Sequence, residues 1–219
     1  GSYCVGIDAG VCTIYESTIY GARGGLAVEE NGAVVVTAST ITAAYYYPFY
    51  VYGNGQSSFE DTVFVKVPKL ETQAGAGGNA LIYNGIDPEG YGDTATVLFS
   101  NCTFESTREG GSKLEIFHCY DRLTFANCSF VNIENSVGTA EELIDILAIG
   151  GTVNLAADIQ TGEQLIVPKG VTVTLNLNGY DLSCSYAGAF IVNYGTMTIN
   201  DTNALGETDT ACVYTTEAS

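Results

Sequence analysis

The chain has 219 residues, of which 7 are Lys or Arg and 25 are Asp or Glu, giving a formal net charge of −18. That balance argues against nucleic acid or an anionic membrane surface as a partner, because binding to phosphates is driven by clustered cations that release counterions. With 46% hydrophobic and only 15% charged residues the chain is expected to fold rather than stay disordered, and no apolar run reaches the roughly 18 residues that membrane insertion as a helix requires.

Gly at 26 and Tyr at 15, with one Met and no Trp, point to β-structure rich in turns. The opening residues Gly1-Ser2-Tyr3-Cys4 lack the basic and apolar regions of a signal peptide, so any export signal is expected to have been removed. The seven cysteines, Cys4, Cys12, Cys102, Cys119, Cys128, Cys184 and Cys212, are odd in number and form no C-x-x-C pair. Most of them read as compact apolar core residues, with room for a disulfide or two.

Residues 4–19 read CVGIDAGVCTIYESTI and residues 26–41 read LAVEENGAVVVTASTI, so Gly10, Ile14, Ser17 and Ile19 recur 22 positions later as Gly32, Val36, Ser39 and Ile41. Within each copy apolar and polar residues alternate, the period-2 signal of a half-buried strand. A run of aromatics follows at Tyr45, Tyr46, Tyr47, Phe49, Tyr50 and Tyr52. Successive strand residues face opposite ways, so the six cannot share one core. Either they offer a surface for glycan stacking or a protein interface, or a loop folds over the outward ones. VFVKVPKL, Val63 to Leu70, is a looser strand segment.

In the loop DPEGYGD, Asp87, Glu89 and Asp93 are candidate calcium ligands, as are Asp201, Glu207 and Asp209 further on. No EF-hand loop or glycine-rich calcium nonapeptide frames them, and a solvated acidic loop is the preferred reading. No cofactor is expected apart from this calcium option.

VLFSNCTF, 97–104, and LTFANCSF, 123–130, align at an offset of 26. If the two segments stack, Asn101 lies over Asn127, Cys102 over Cys128 and Phe104 over Phe130. Between them the single histidine, His118, sits in FHCYDR beside Cys119 and near Asp121 and Arg122. Adjacent strand residues diverge, so this group reads as a structural or surface cluster rather than a catalytic one. Sequons at Asn101, Asn127 and Asn200 are no more than composition alone yields, and a stacked asparagine ladder inside a turn is the preferred role of the first two.

VGTAEELIDILAIGG, 137–151, is the one convincing helix. Thr139 and Glu142 form a capping box, Glu141, Glu142 and Asp145 suit the positive helix start, and Gly150-Gly151 ends it. Leu143, Ile146, Leu147 and Ile149 make one apolar stripe. GGTVNLAADI, 150–159, and VPKGVTVTLNLNGY, 167–180, return to the strand pattern, and FIVNYGTMTINDT, 190–202, is a third copy of the opening repeat.

A repeat of 22 to 26 residues holding two or three short strands is too short for a propeller blade and too β-rich for a helical solenoid. The predicted fold is therefore all-β, a parallel β-helix of about nine coils with one capping helix at 139–149. Residues 1–135 form β-helix coils, and residues 136–219 form the capping helix followed by further coils.

On the segments SNCTF, ANCSF, GGTVNLAADI and VPKGVTVTLNLNGY, the chain resembles the right-handed parallel β-helix proteins of the pectate-lyase-like superfamily. The resemblance implies a right-handed solenoid, a secreted or surface location, and a helix that covers the N-terminal end of a core. Here that helix follows some 135 residues of coils, which leaves two arrangements. Two solenoids run in series, or coils of one chain accept the first coils of another, giving head-to-tail self-association.

Lyases of the resembled kind hold calcium on carboxylates and use Arg or Lys as base, while hydrolases pair Asp residues with a His and an R-x-K step. The three arginines, Arg23, Arg108 and Arg122, form no R-x-K, and −18 charges repel a polyanionic substrate. The expectation is a non-enzymatic extracellular or cell-surface structural or adhesive module, with a host or cell-surface protein or glycan as a further partner. The alternative is a polysaccharide-binding or polysaccharide-degrading β-helix.

Overall fold

A computed structural model describes residues 3–69, 80–84, 94–109, 111–116, 122–201 and 211–216, the side chains of 83, 84, 115 and 116 excepted. The chain forms two compact units, Gly1–Ile133 and Glu134–Ser219.

The first unit winds through five coils. The first holds β1 (Tyr3–Tyr15) and β2 (Thr18–Gly21), and the second β3 (Gly24–Thr37) and β4 (Thr40–Ala43). The third holds β5 (Phe49–Val51), β6 (Gln56–Glu60) and β7 (Val63–Lys66). The fourth holds β8 (Ala80–Asn84), β9 (Thr96–Ser100) and β10 (Thr103–Ser106), and the fifth β11 (Lys113–Ile116), β12 (Leu123–Ala126) and β13 (Ser129–Val131). One sheet runs β11-β8-β5-β3-β6-β9-β12 with β1 along the free side of β3, and a second runs β13-β10-β7-β4-β2. β3 is long enough to pair with β5 over its first half and β6 over its second. Between those two, Gly53 turns the chain at φ 109, where a Cβ would lie 2.0 Å from the Glu30 carbonyl oxygen, so no side chain fits.

All these pairings are parallel, and their register follows the repeat: Gly10 opposite Gly32, Ile14 opposite Val36, Ile19 opposite Ile41, and Phe104 opposite Phe130. Side chains that are alike in shape therefore stack along the interior. Phe59, Phe99 and Phe125 form one column with ring centroids 5.2 and 4.8 Å apart, and Phe64, Phe104 and Phe130 another at 4.9 and 5.2 Å. These rings supply the large apolar burial that drives the unit together.

A third column explains the corner after β1, β3, β6, β9 and β12. Glu16, Ala38, Asp61, Asn101 and Asn127 all adopt a left-handed backbone with φ between 44 and 53. The residue that follows each turns a hydroxyl or thiol back onto the carbonyl two positions earlier: Ser17 to Tyr15 at 2.7 Å, Ser39 to Thr37 at 2.8 Å and Thr62 to Glu60 at 2.9 Å. Cys102 does the same to Ser100 at 3.4 Å, and Cys128 to Ala126 at 3.6 Å. Asn tolerates this conformation best among non-glycine residues because its short amide bonds locally. Asn127 Nδ2 also donates to Asn101 Oδ1 at 3.4 Å.

The second unit begins with β14 (Glu134–Val137) and α1 (Ala140–Ile149), followed by β15 (Gly151–Leu155), β16 (Ile159–Thr161) and β17 (Leu165–Val167). A further turn has β18 (Thr172–Asn176), β19 (Leu182–Cys184) and β20 (Ile191–Asn193), and β21 (Thr196–Asn200) and β22 (Val213–Thr215) continue onto the next. Its sheets run β14-β15-β18-β21, β16-β19-β22 and β17-β20, again all parallel. The capping box is formed: Thr139 Oγ1 accepts from the Glu142 amide at 3.3 Å, and the Glu142 carboxylate accepts from the Thr139 amide at 3.2 Å. Leu143, Ile146, Leu147 and Ile149 are buried, so the helix lays its stripe over the strands β14 to β17 and closes that end of the core.

The right-handed parallel β-helix with one helix holds, but it makes about seven turns rather than about nine. The difference lies in coil length. Val63 pairs with Thr40 at a 23-residue step, yet its partner on the other side is Thr103, 40 residues on. Chain inserted between the strands lengthens a coil without adding a rung.

Candidate functional site

Tyrosines gather on the first unit where β1 and the segment before β5 meet. Tyr3, at the start of β1, lies 5.4 Å from the Tyr50 ring and 6.4 Å from that of Tyr46. Tyr45 meets Tyr46 edge-on at 4.7 Å, Tyr47 lies 6.5 Å from Tyr46, and Tyr52 lies 5.7 Å from Tyr50. The Arg23 guanidinium sits 5.6 and 5.5 Å from the Tyr45 and Tyr46 ring centres. Its carbonyl also accepts from both their backbone amides, which ties the segment down. Gly24 makes room for the cluster, since a Cβ there would lie 2.4 Å from the Tyr3 ring.

All five tyrosines of the run, Tyr45, Tyr46, Tyr47, Tyr50 and Tyr52, are half-buried. Phe49 corrects the sequence expectation of a contact residue: it is fully buried at 0% exposure and packs on Phe59, Phe64 and Phe99. The reason is strand parity, because β5 points Phe49 and Val51 inward and Tyr50 outward. Burial, followed by Tyr50 and Tyr47, pushes the Tyr3 phenol well above its ordinary value of 10.0. The hydroxyl thus stays protonated and can both donate and accept. Burial and then Asp8 and Glu30 push up the nearby Glu29 carboxyl. The face thus combines ring surfaces, hydroxyls and one guanidinium, the chemistry that stacks on sugar rings or on apolar protein side chains.

A second feature is a shallow groove of about 510 Å³ on the outward side of β6, β9 and β12, lined by Gln56, Ser58, Thr96, Leu98, Arg122 and Thr124 among others. Register explains it: Ser58, Leu98 and Thr124 form one outward column, Gln56 and Thr96 start a parallel one, and Arg122 supplies a cation. His118, Cys119 and Asp121, the rest of that sequence cluster, lie outside the described residues. So do Asp87, Glu89, Asp93, Glu207 and Asp209. Asp201 accepts from the amides of Gly179 at 2.9 Å and Ala211 at 3.3 Å, so it staples two turns. Among the described residues no three His, Cys, Asp or Glu side chains come together as metal ligands.

Sequence reasoning missed Lys66. It is 0% exposed and opposes Ala43 and Ser106 in the second sheet. Its Nζ donates to the Tyr46 carbonyl. Burial, reinforced by Arg108, lowers its pKa from 10.5 to about 7. The signal was present as parity: in VFVK, Phe64 and Lys66 are two apart and share the inward face. Tyr3 and Arg23 were also missed. Tyr3 escapes the repeat because the register shifts between Ile7 and Ala9, so that Tyr3 lies opposite Gly24 and not opposite Gly25, where the 22-residue offset would put it.

Asn101 and Asn127, and Cys102 and Cys128, sit one above the other at the corner described above, and Phe104 stacks on Phe130. The second unit has its own ladder, in which Asn176 Nδ2 donates to Asn154 Oδ1 at 2.7 Å and Asn200 Nδ2 to Asn176 Oδ1 at 3.3 Å.

No curated protein and no solved structure matches the chain. A family model described as the right handed beta helix region matches residues 4–142, more than half of the sequence. With the described strands of that stretch paired in parallel, the chain belongs to the right-handed β-helix family.

Proposed function

We propose that this chain is a non-enzymatic structural and adhesive β-helix module of an extracellular or cell-surface protein, and that it binds its partner through the tyrosine face. The observation that carries this reading is the make-up of the outward columns. Thr13, Val35, Ser58, Leu98 and Thr124 form one, and Thr18, Thr40, Val63, Thr103 and Ser129 another. These are neutral side chains beside a cluster of aromatic rings, and in the next outward column of each sheet Glu60 lies between Thr37 and Ser100 and Glu105 between Val65 and Val131, so neither carboxylate has a titratable neighbour in register. General acid–base chemistry on a sugar needs paired titratable groups facing the substrate, whereas adhesion needs contact area at low entropic cost.

Head-to-tail self-association belongs to the same reading. β1 and β2 are outermost in their sheets, with Val11 71%, Tyr15 62% and Tyr20 55% exposed. In the second unit β21 and β22 are outermost, with Ile199 42% and Val213 38% exposed although their register partners Leu175 and Leu182 are core residues. Such edges take a further coil of the same period, which a second copy supplies.

The outward groove with Arg122 supports the alternative, binding or cleavage of an anionic polysaccharide. A panel of neutral and acidic polysaccharides separates the readings. Binding that Tyr46→Ser or Tyr50→Ser weakens at least tenfold, with no new reducing ends or unsaturated products, supports the adhesive module. Product formation refutes it. Light scattering over a range of salt tests the association: particle mass is expected to rise with salt as the repulsion between −18 charges is screened, and a strict monomer throughout overturns it.

A further inference from the structure

We propose that Cys102 and Cys128 are a redox pair that a low-molecular-weight disulfide converts into a covalent staple between consecutive coils. The register pairs on either side, Ser100 with Ala126 and Thr103 with Ser129, place the two cysteines directly over one another. Adjacent strands are about 4.8 Å apart, inside the roughly 4.4 to 6.8 Å Cα separation that a disulfide spans. Both sulfurs lean the same way along the stack, Cys102 Sγ lying 3.5 Å from Phe59 O and Cys128 Sγ 3.6 Å from Phe99 O. Cys128 Sγ is thereby directed into the coil that holds Cys102.

The chemistry is divided between the two thiols. The influence of each thiol on the other is the largest on both, pulling Cys128 down and pushing Cys102 up, with burial adding to the latter. Cys128 is half-buried and Cys102 is 1% exposed, so Cys128 is both the better thiolate and the reachable one. Its thiolate attacks one sulfur of the small disulfide, releasing one small thiol and leaving a mixed disulfide. Cys102, losing its proton, then displaces the second small thiol and closes the Cys102–Cys128 bond. Two protein thiols are oxidised, one small disulfide is reduced to two thiols, and the two protons end on those thiols.

The rest of the column supports a role beyond packing. At the same corner the first three coils use Ser17, Ser39 and Thr62, whose hydroxyls make the same turn-closing bond at 2.7 to 2.9 Å. Thiols make it at 3.4 and 3.6 Å and are weaker donors. The hydrogen bond alone therefore gives no reason for cysteine at two successive corners.

The test uses the native chain treated with oxidised glutathione, alkylated, digested and read by mass spectrometry. The expected product is a peptide pair joined through Cys102 and Cys128, dominant over pairs involving the other five cysteines, with a rise of several degrees in thermal midpoint that dithiothreitol reverses. Cys128→Ser and Cys102→Ser keep the corner hydrogen bond, so each is expected to fold with the midpoint of the reduced parent and to lose the oxidant-induced rise. Both cysteines alkylated after oxidation, or a scrambled set of pairs like that formed in urea, overturns the proposal. The peptide measurement on the parent decides the matter even where a serine variant fails to fold.

Discussion

Replacing Lys66 with Met is expected to stabilise the first unit and to remove a pH dependence. A lysine whose pKa falls on folding binds fewer protons in the native chain than in the unfolded one, so stability rises with pH between the folded and unfolded values. For Lys66 that window runs from about 7 to 10.5. Below it the full displacement costs on the order of 5 kcal/mol, and between pH 7 and pH 9 about 2 kcal/mol of that is recovered. Met keeps the length of the buried stem, although the Tyr46 carbonyl loses its donor at about 1 kcal/mol. The net gain at pH 7 is therefore about 3 kcal/mol. Urea unfolding of parent and Lys66→Met at pH 7, 8 and 9 reads it, and the difference between the two cancels the titration of the tyrosines and cysteines. The gap is expected to narrow as pH rises. A gap that is constant or widens refutes the argument, since it means the ammonium is not confined in the core.

Phe104→Ala, which removes a 0% exposed ring between Phe64 and Phe130, is expected to cost about 3 to 5 kcal/mol in urea unfolding. A loss below about 1 kcal/mol would mean that the column does not bear on stability. Ala38→Gly is expected to do the opposite, because Ala38 sits at φ 49. Release from the left-handed penalty exceeds the entropy that glycine adds to the unfolded chain by roughly half a kcal/mol; a destabilised variant would show that the corner is held by something other than the Ala38 backbone.

The fold was legible because stacking in register makes sequence periodicity and spatial neighbourhood the same thing. Ser17 and Ser39 are 22 residues apart and the Ser17 amide donates to the Ser39 hydroxyl at 3.0 Å. The helix was legible for a different reason, since its cap needs only Thr139 and Glu142, three residues apart. The aromatic run was half legible. Its composition marked a special surface, but which ring faces inward depends on where β5 begins, and only Phe49–Val51 is strand.

What the amino-acid sequence determined by itself is the period, the alternation of inward and outward positions and the local caps, because each depends on residues close together or on a constant offset. Only the tertiary structure decided what the insertions hide. The 40-residue step from Val63 to Thr103 breaks the offset, so nothing short of the folded coils sets Lys66 opposite Ser106 or counts the turns. The approach of Tyr3 to Tyr46 and Tyr50 likewise appears only when three successive coils lie against each other, since loop length is unconstrained by sequence pattern while hydrogen-bonded register is not.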